Sequence, residues 1–145
     1  MKTLKIFAVI LFATGAVMAQ DLRPAEVPGN LKDAFNKEYS KATNVEWEKE
    51  LDNYKVEFDL NRRDHEVWYN ASGTVLKKEI EITEGELPQA LRDAIKSRYA
   101  GYRVDDVEKI WQNNATTYEV ELEKGQDEKY IVFDDNGKVL SERRD

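Results

Sequence analysis

The sequence predicts an α+β fold of two tandem units, each one helix followed by a four-stranded antiparallel sheet, with the sheets joined into one curved surface. Three observations predict it. The stretch "VPGNLKDAFNKEY" at 27–39 returns as "LPQALRDAIKSRY" at 87–99. Each copy is followed by segments in which apolar and polar residues alternate. Asn, Asp and Gly residues that favour turns punctuate those segments at matching places in both copies.

The chain opens on residues 1–19, which read as a secretory signal peptide. Lys2 and Lys5 make a positive start, Ile6 to Met18 is an apolar run, and Val17 and Ala19 fit the rule for residues before a cleavage point, with Gln20 the new N-terminus. The run is short of the roughly 20 residues a membrane span needs. The expectation is export to the periplasm or beyond, with no stable membrane insertion after cleavage. No Cys follows the run, so a lipid anchor is not supported. Residues 20–26 extend the chain ahead of the first unit.

Removing 19 of 145 residues leaves 126, with 20 Lys and Arg against 29 Asp and Glu, a net charge of −9. A chain of this length buries about two-thirds of its unfolded surface as one domain. Its negative charge repels phosphate backbones, so no nucleic-acid partner is expected. With no Cys the fold is held by its core alone, and thiol catalysis is excluded. One His, His65, excludes a two-His metal site.

The two units span 27–82 and 87–145, joined by "TEGE" at 83–86. At an offset of 60, Pro28, Leu31, Asp33, Ala34 and Tyr39 match Pro88, Leu91, Asp93, Ala94 and Tyr99. Further on the offset is 64, where Trp47, Tyr54, Val56, Gly73 and Val75 match Trp111, Tyr118, Val120, Gly137 and Val139. This matching places four extra residues between Tyr99 and Trp111, near Gly101, and both Trp47 and Trp111 in the core. Leu31, Ala34, Phe35 and Tyr39 share one helical face, as do Leu91, Ala94, Ile95 and Tyr99. Each Pro falls in the first turn, where a missing N–H costs nothing. In "YKVEFDL" at 54–60 and "YEVEL" at 118–122 the apolar residues alternate with charged ones, which is a strand with one wet face. "HEVWY" at 65–69 and "KYIVF" at 129–133 are the following strands, with Val67, Tyr69, Ile131 and Phe133 facing inward. Gly73 and Gly137 supply the positive φ of hairpin turns. One helix cannot cover four strands alone, so the units are expected to bury a shared core.

The recurring "[VL]-P-x-x-L-[KR]-D-A", the "Y-x-V-x-[FL]" strand and the "G-x-V-L" turn resemble the PepSY-like proteins of the bacterial periplasm. Their fold is similar to that of the beta-lactamase inhibitory protein. The resemblance covers nearly the whole chain after residue 19 and rests on structural motifs. It implies tandem helix-plus-sheet units that bind or inhibit other proteins, peptidases among them. It carries over no catalytic residue.

Other motifs read as structure. "DDNGK" at 134–138 is a hairpin turn rather than half a calcium loop, and the sequons at Asn70 and Asn114 are turns. His65 is a rim residue, and the carboxylates of "EIEITEGE" at 79–86 are a solvated edge. The second face of the sheet is more informative. Glu57, Asp59, Glu119, Glu121 and Glu123 project from it, and so do Trp68, Tyr130 and Val132. An exposed Trp beside acidic residues is the make-up of a binding anchor. The alternative is that Trp68 packs under neighbouring long side chains. Trp68, Tyr130, Glu57, Asp59, Glu119 and Glu121 are therefore the candidate partner-binding residues, and the expected partner is a basic protein. No catalytic, cofactor or metal site is assigned. The functional expectation is a non-enzymatic binding module, an inhibitor of a hydrolase or peptidase. The alternative is a carrier of a small ligand or cation on the acidic sheet face.

Overall fold

The computed structural model describes residues 19–144. It is an α+β fold in which nine antiparallel strands form one sheet in chain order. The strands are β1 (Ala19–Leu22), β2 (Thr43–Glu50), β3 (Asn53–Leu60), β4 (Arg63–Asn70), β5 (Val75–Glu81), β6 (Arg103–Gln112), β7 (Ala115–Lys124), β8 (Asp127–Asp134) and β9 (Val139–Arg144). Helix α1 (Gly29–Glu38) precedes β2, and α2 (Gln89–Arg98) precedes β6. The leader reading concerns residues that, Ala19 apart, lie outside the described residues.

The two sheets join into one, as expected, but with nine strands where two units of four would give eight, and the stretch at 83–86 holds a 3₁₀ turn, Glu84–Glu86. The added strand has a physical reason. In the second half the end of β5 runs along β6, and the Ile82 N–H donates to the Val107 carbonyl. In the first half β1 takes the corresponding place and sets Leu22 opposite Trp47.

Both helices start at a Pro, Pro28 or Pro88, and end at a Tyr, whose N–H donates to the carbonyl of Phe35 or Ile95. Each helix buries two residues of its apolar face, Leu31 and Phe35 in α1 and Leu91 and Ile95 in α2. The expected shared core is instead two clusters. Under α1 lie Trp47, Val56, Phe58, Val67 and Tyr69. Under α2 lie Ile82, Val107, Tyr118, Val120, Leu122, Ile131 and Phe133. Between the clusters the helix-side face carries Lys78, which pairs with Glu38, and Lys109, whose ammonium sits 4.8 Å from the Trp111 ring. Charged side chains there do not merge the two apolar regions.

Strand register also corrects the placement of the four extra residues. Trp47 opposes Val56, and it is Val107 that opposes Val120, while Trp111 opposes Thr116. The added length therefore lies in the β6–β7 hairpin, where each strand has 10 residues against 8 in β2 and β3. Trp47 is 7% exposed in the core, but Trp111 is 38% exposed near the hairpin tip. Asn113 and Asn114 close that hairpin at φ 52° and 60°, the left-handed pair a two-residue turn needs. Gly73 and Gly137 take φ 87° and 83°, as the turn reading expects. In the "DDNGK" turn Asp134 Oδ1 accepts from the N–H groups of Asn136 and Lys138.

Candidate functional site

Because every strand alternates and both helices cover the same side, the other side of the sheet is left mostly to charged and polar side chains, with Trp68, Ile110 and Val132 among them. Cross-strand pairing sets them in rows. Glu46, Glu57, Glu66 and Glu79 form one row across β2 to β5, continued by Ile110 on β6. Glu81, Glu108, Glu119 and Val132 form the next row from β5 to β8. Asp59 and Asp64 oppose each other on β3 and β4. Asp106, Glu121, Tyr130 and Arg143 make a further row from β6 to β9.

Trp68 lies on this open face, as alternation requires, but it is 6% exposed. That corrects the reading of an exposed anchor. Its Nε1–H donates to Glu50 Oε2 at 3.1 Å, and the Lys77 ammonium sits 4.3 Å from the ring centroid. Lys77 also pairs with Glu79, so one lysine stem closes over the indole while its head meets a carboxylate. Glu57 is half-buried and pairs with Lys55, which also reaches Glu48 at 3.0 Å. Asp59 accepts a hydrogen bond from Asn44. Glu119 is half-buried, and Glu121 is buried between Asp106 and Tyr130. Tyr130 is half-buried beneath the Arg143 guanidinium, 3.8 Å from its ring. Trp68 and Tyr130 stand four strands apart, roughly 19 Å at strand spacing. The six candidate residues therefore form two patches, Trp68 with Glu57 and Asp59, and Tyr130 with Glu119 and Glu121.

The residues missed from sequence stand between these patches. β5 is the fifth of nine strands, so the stretch at 79–86 is not an edge; Glu81, Glu84 and Glu86 are exposed, but Glu79 is only 4% exposed. Glu66 and Glu108 are its neighbours in the two rows. Burial pushes the Glu66 carboxyl up to about 7, against the pull of Lys55. Burial, then the charges of Glu79, Glu66, Glu119 and Asp106, push Glu108 up to about 9. Glu79 and Glu119 are raised by the same main cause. A hydrogen bond with Asp59, then burial, raises Asp64 to about 6. The signal was present in the sequence as Lys77, Glu79 and Glu81 at spacing two. Only the strand order shows that it faces Glu66 and Glu108.

His65 is half-buried and stacks on Phe58 with ring centroids 5.1 Å apart. Burial lowers its pKa. Asp105, Glu121 and Glu123 bring ligand oxygens within 4.8 Å of one another, a set able to hold a cation. Arg103 already pairs with Asp105 and Glu123.

One sheet with both helices on one side and a charged layer on the other defines an α+β surface-presenting module. The chain belongs to the beta-lactamase-inhibitor-like, PepSY-like family, whose profile matches residues 17–77 and again 52–141. Three solved structures share the fold. A BLIP-like protein from Bacteroides fragilis is 30% identical with a TM-score of 0.68, covering 81% of this chain and 85% of that one. A DUF2874 family protein from Bacteroides uniformis is 24% identical with a TM-score of 0.73, covering 81% and 89%. A Bacteroides eggerthii protein, provisionally described as periplasmic, is 22% identical with a TM-score of 0.75, covering 81% and 88%. A search of curated proteins gave no match. No described helix is long and apolar enough to cross a membrane.

Proposed function

We infer that this chain is a non-enzymatic protein-binding module of the inhibitor-like kind, exported to the periplasm or beyond, and that it docks a basic protein on the open face of its sheet. The units 27–82 and 87–145 supply the two halves of that face. The observation that carries the reading is the face itself. Strands β2 to β8 present an excess of carboxylates there, among them Glu46, Glu57, Glu81 and Glu128, against Lys55, Lys77, Arg103 and Arg143 on the same side. Such a field steers a cationic partner and is screened by salt. The test is capture from periplasmic extract. Glu46→Lys with Glu57→Lys should abolish capture of the partner held by the native chain, and raised salt should slow its association. The helix-side variant Asp93→Lys should leave capture intact. Equal loss from the helix-side variant would move the docking surface to the other side.

A second reading, a cation carried on the same face, draws on Asp105, Glu121 and Glu123. A thermal melt with and without calcium separates the two. A rise of several degrees favours the carrier, and no rise favours the docking surface.

A further inference from the structure

Two carboxyl pairs oppose each other directly at the centre of the open face, Glu66 with Glu79 and Glu108 with Glu119. Further carboxylates lie beside both pairs, among apolar neighbours and a few cations. Glu66 meets Glu57 across β3 and has Asp64 and Trp68 as same-face neighbours on its own strand. Glu79 meets Ile110 across β6 and lies between Lys77 and Glu81. Glu108 meets Glu81 across β5 and lies between Asp106 and Ile110. Glu119 meets Val132 across β8 and lies between Thr117 and Glu121. The cations that act on these groups are Lys55, Lys77 and Arg143. Each is already engaged, Lys55 by Glu48 and Glu57, Lys77 by Glu79 and the Trp68 ring, and Arg143 by the Tyr130 ring.

Directly opposed like charges in a sheet are destabilising. An independent observation bears on how this one is relieved. Glu79 is 4% exposed, and beyond its ion pair with Lys77 neither of its oxygens accepts a hydrogen bond. Glu66 Oε2, on the opposed side chain, is also buried without a donor. A buried carboxylate oxygen without a donor is costly. A proton on one carboxyl of the pair removes a charge and makes that group a donor to the other.

We propose that each opposed pair, Glu66 with Glu79 and Glu108 with Glu119, shares a proton in the free chain and releases it when a cationic partner docks, so that docking on the open face is gated by pH. This rests on the docking reading above and adds its regulation. The upward shifts of Glu66, Glu79, Glu108 and Glu119 have the sign it requires. Ammonium or guanidinium groups of the partner bring the donors and the positive charge that the protons supplied. Affinity then rises with pH, by roughly tenfold per pH unit for each proton released. An acidic surface with ordinary carboxyls is fully charged above pH ~5 and shows no such slope.

The test has two arms. Carbon-13 carboxyl NMR on the free protein, with Glu79→Gln and Glu108→Gln to assign signals, should show at least two of the four groups titrating above pH 6. Midpoints all below pH 5 overturn the proposal, and the wild-type titration decides this even if a variant fails to fold. The second arm is calorimetry with an oligolysine peptide in two buffers of different ionisation enthalpy at pH 7. The expected result is proton release on binding, with affinity at least tenfold higher at pH 7.5 than at pH 5.5. Binding without proton release overturns the gating. High midpoints with no oligolysine binding at any pH support the stored protons and overturn the docking reading instead.

Discussion

Truncating Trp68 to Ala separates a packed charged layer from a loose fringe of side chains. The indole is 6% exposed although no helix covers it. A Trp side chain buries about 150–250 Å². At about 25 cal/mol per Å² that is about 4–6 kcal/mol. Measured Trp-to-Ala losses at buried sites run at about 3–5 kcal/mol, because neighbours relax into the space. Lys77 keeps Glu79 after truncation and Glu50 can turn to water, so the lower half applies, about 3–4 kcal/mol. A domain stable by about 5–15 kcal/mol stays folded and measurable. The assay is urea denaturation followed by far-UV circular dichroism, since removing a Trp alters the fluorescence. Trp111→Ala is the control, at a residue 38% exposed and with an expected loss below about 1 kcal/mol. A Trp68→Ala loss below about 1 kcal/mol with an unchanged denaturant slope refutes the reasoning. It would mean that Lys77 and Glu50 do not close over the ring.

Three further outcomes are expected. Leu31→Ala and Leu91→Ala, both fully buried but in separate clusters, should each lose about 2–5 kcal/mol and add within about 0.5 kcal/mol in the double variant; a coupling above about 1 kcal/mol in the same melts would join the two cores. Gly73→Ala should lose about 1–2 kcal/mol from its left-handed backbone alone, and Gly137→Ala more in the same assay, because a Cβ there would meet the Ala90 carbonyl oxygen at 2.7 Å. The Glu86 carboxyl is held down to about 2 by the Thr83 N–H and hydroxyl and by Arg63. A depressed carboxyl stabilises above its unfolded value and loses that effect as pH falls through its folded value. Its contribution is therefore present at pH 5 and fades toward pH 2, and Glu86→Gln should flatten that part of the melting profile.

The sequence by itself determined the elements. Leu31, Phe35, Leu91 and Ile95 fall at helical spacing and are the buried residues of α1 and α2. Alternation from Tyr54 to Leu60 and from Tyr118 to Leu122 assigned each residue to one face of a strand, because the pleat leaves no other choice. The same rule put Trp68 on the face away from the helices. What it could not supply was the height of the neighbours. Whether Trp68 is bare or covered depends on Lys77 and Glu50, from strands on either side of it. Sequence matching also aligned Trp111 with Trp47, since it sees letters and not hydrogen bonds. Register set Val107 in that place and carried Trp111 to the longer hairpin. The central carboxylates were the largest gap. Glu66, Glu79 and Glu108 lie on three strands, and period-two spacing says which way each points but not what stands opposite. Only the order β4-β5-β6 brings them together and buries Glu79, because burial and repulsion are properties of neighbours across the sheet rather than along the chain.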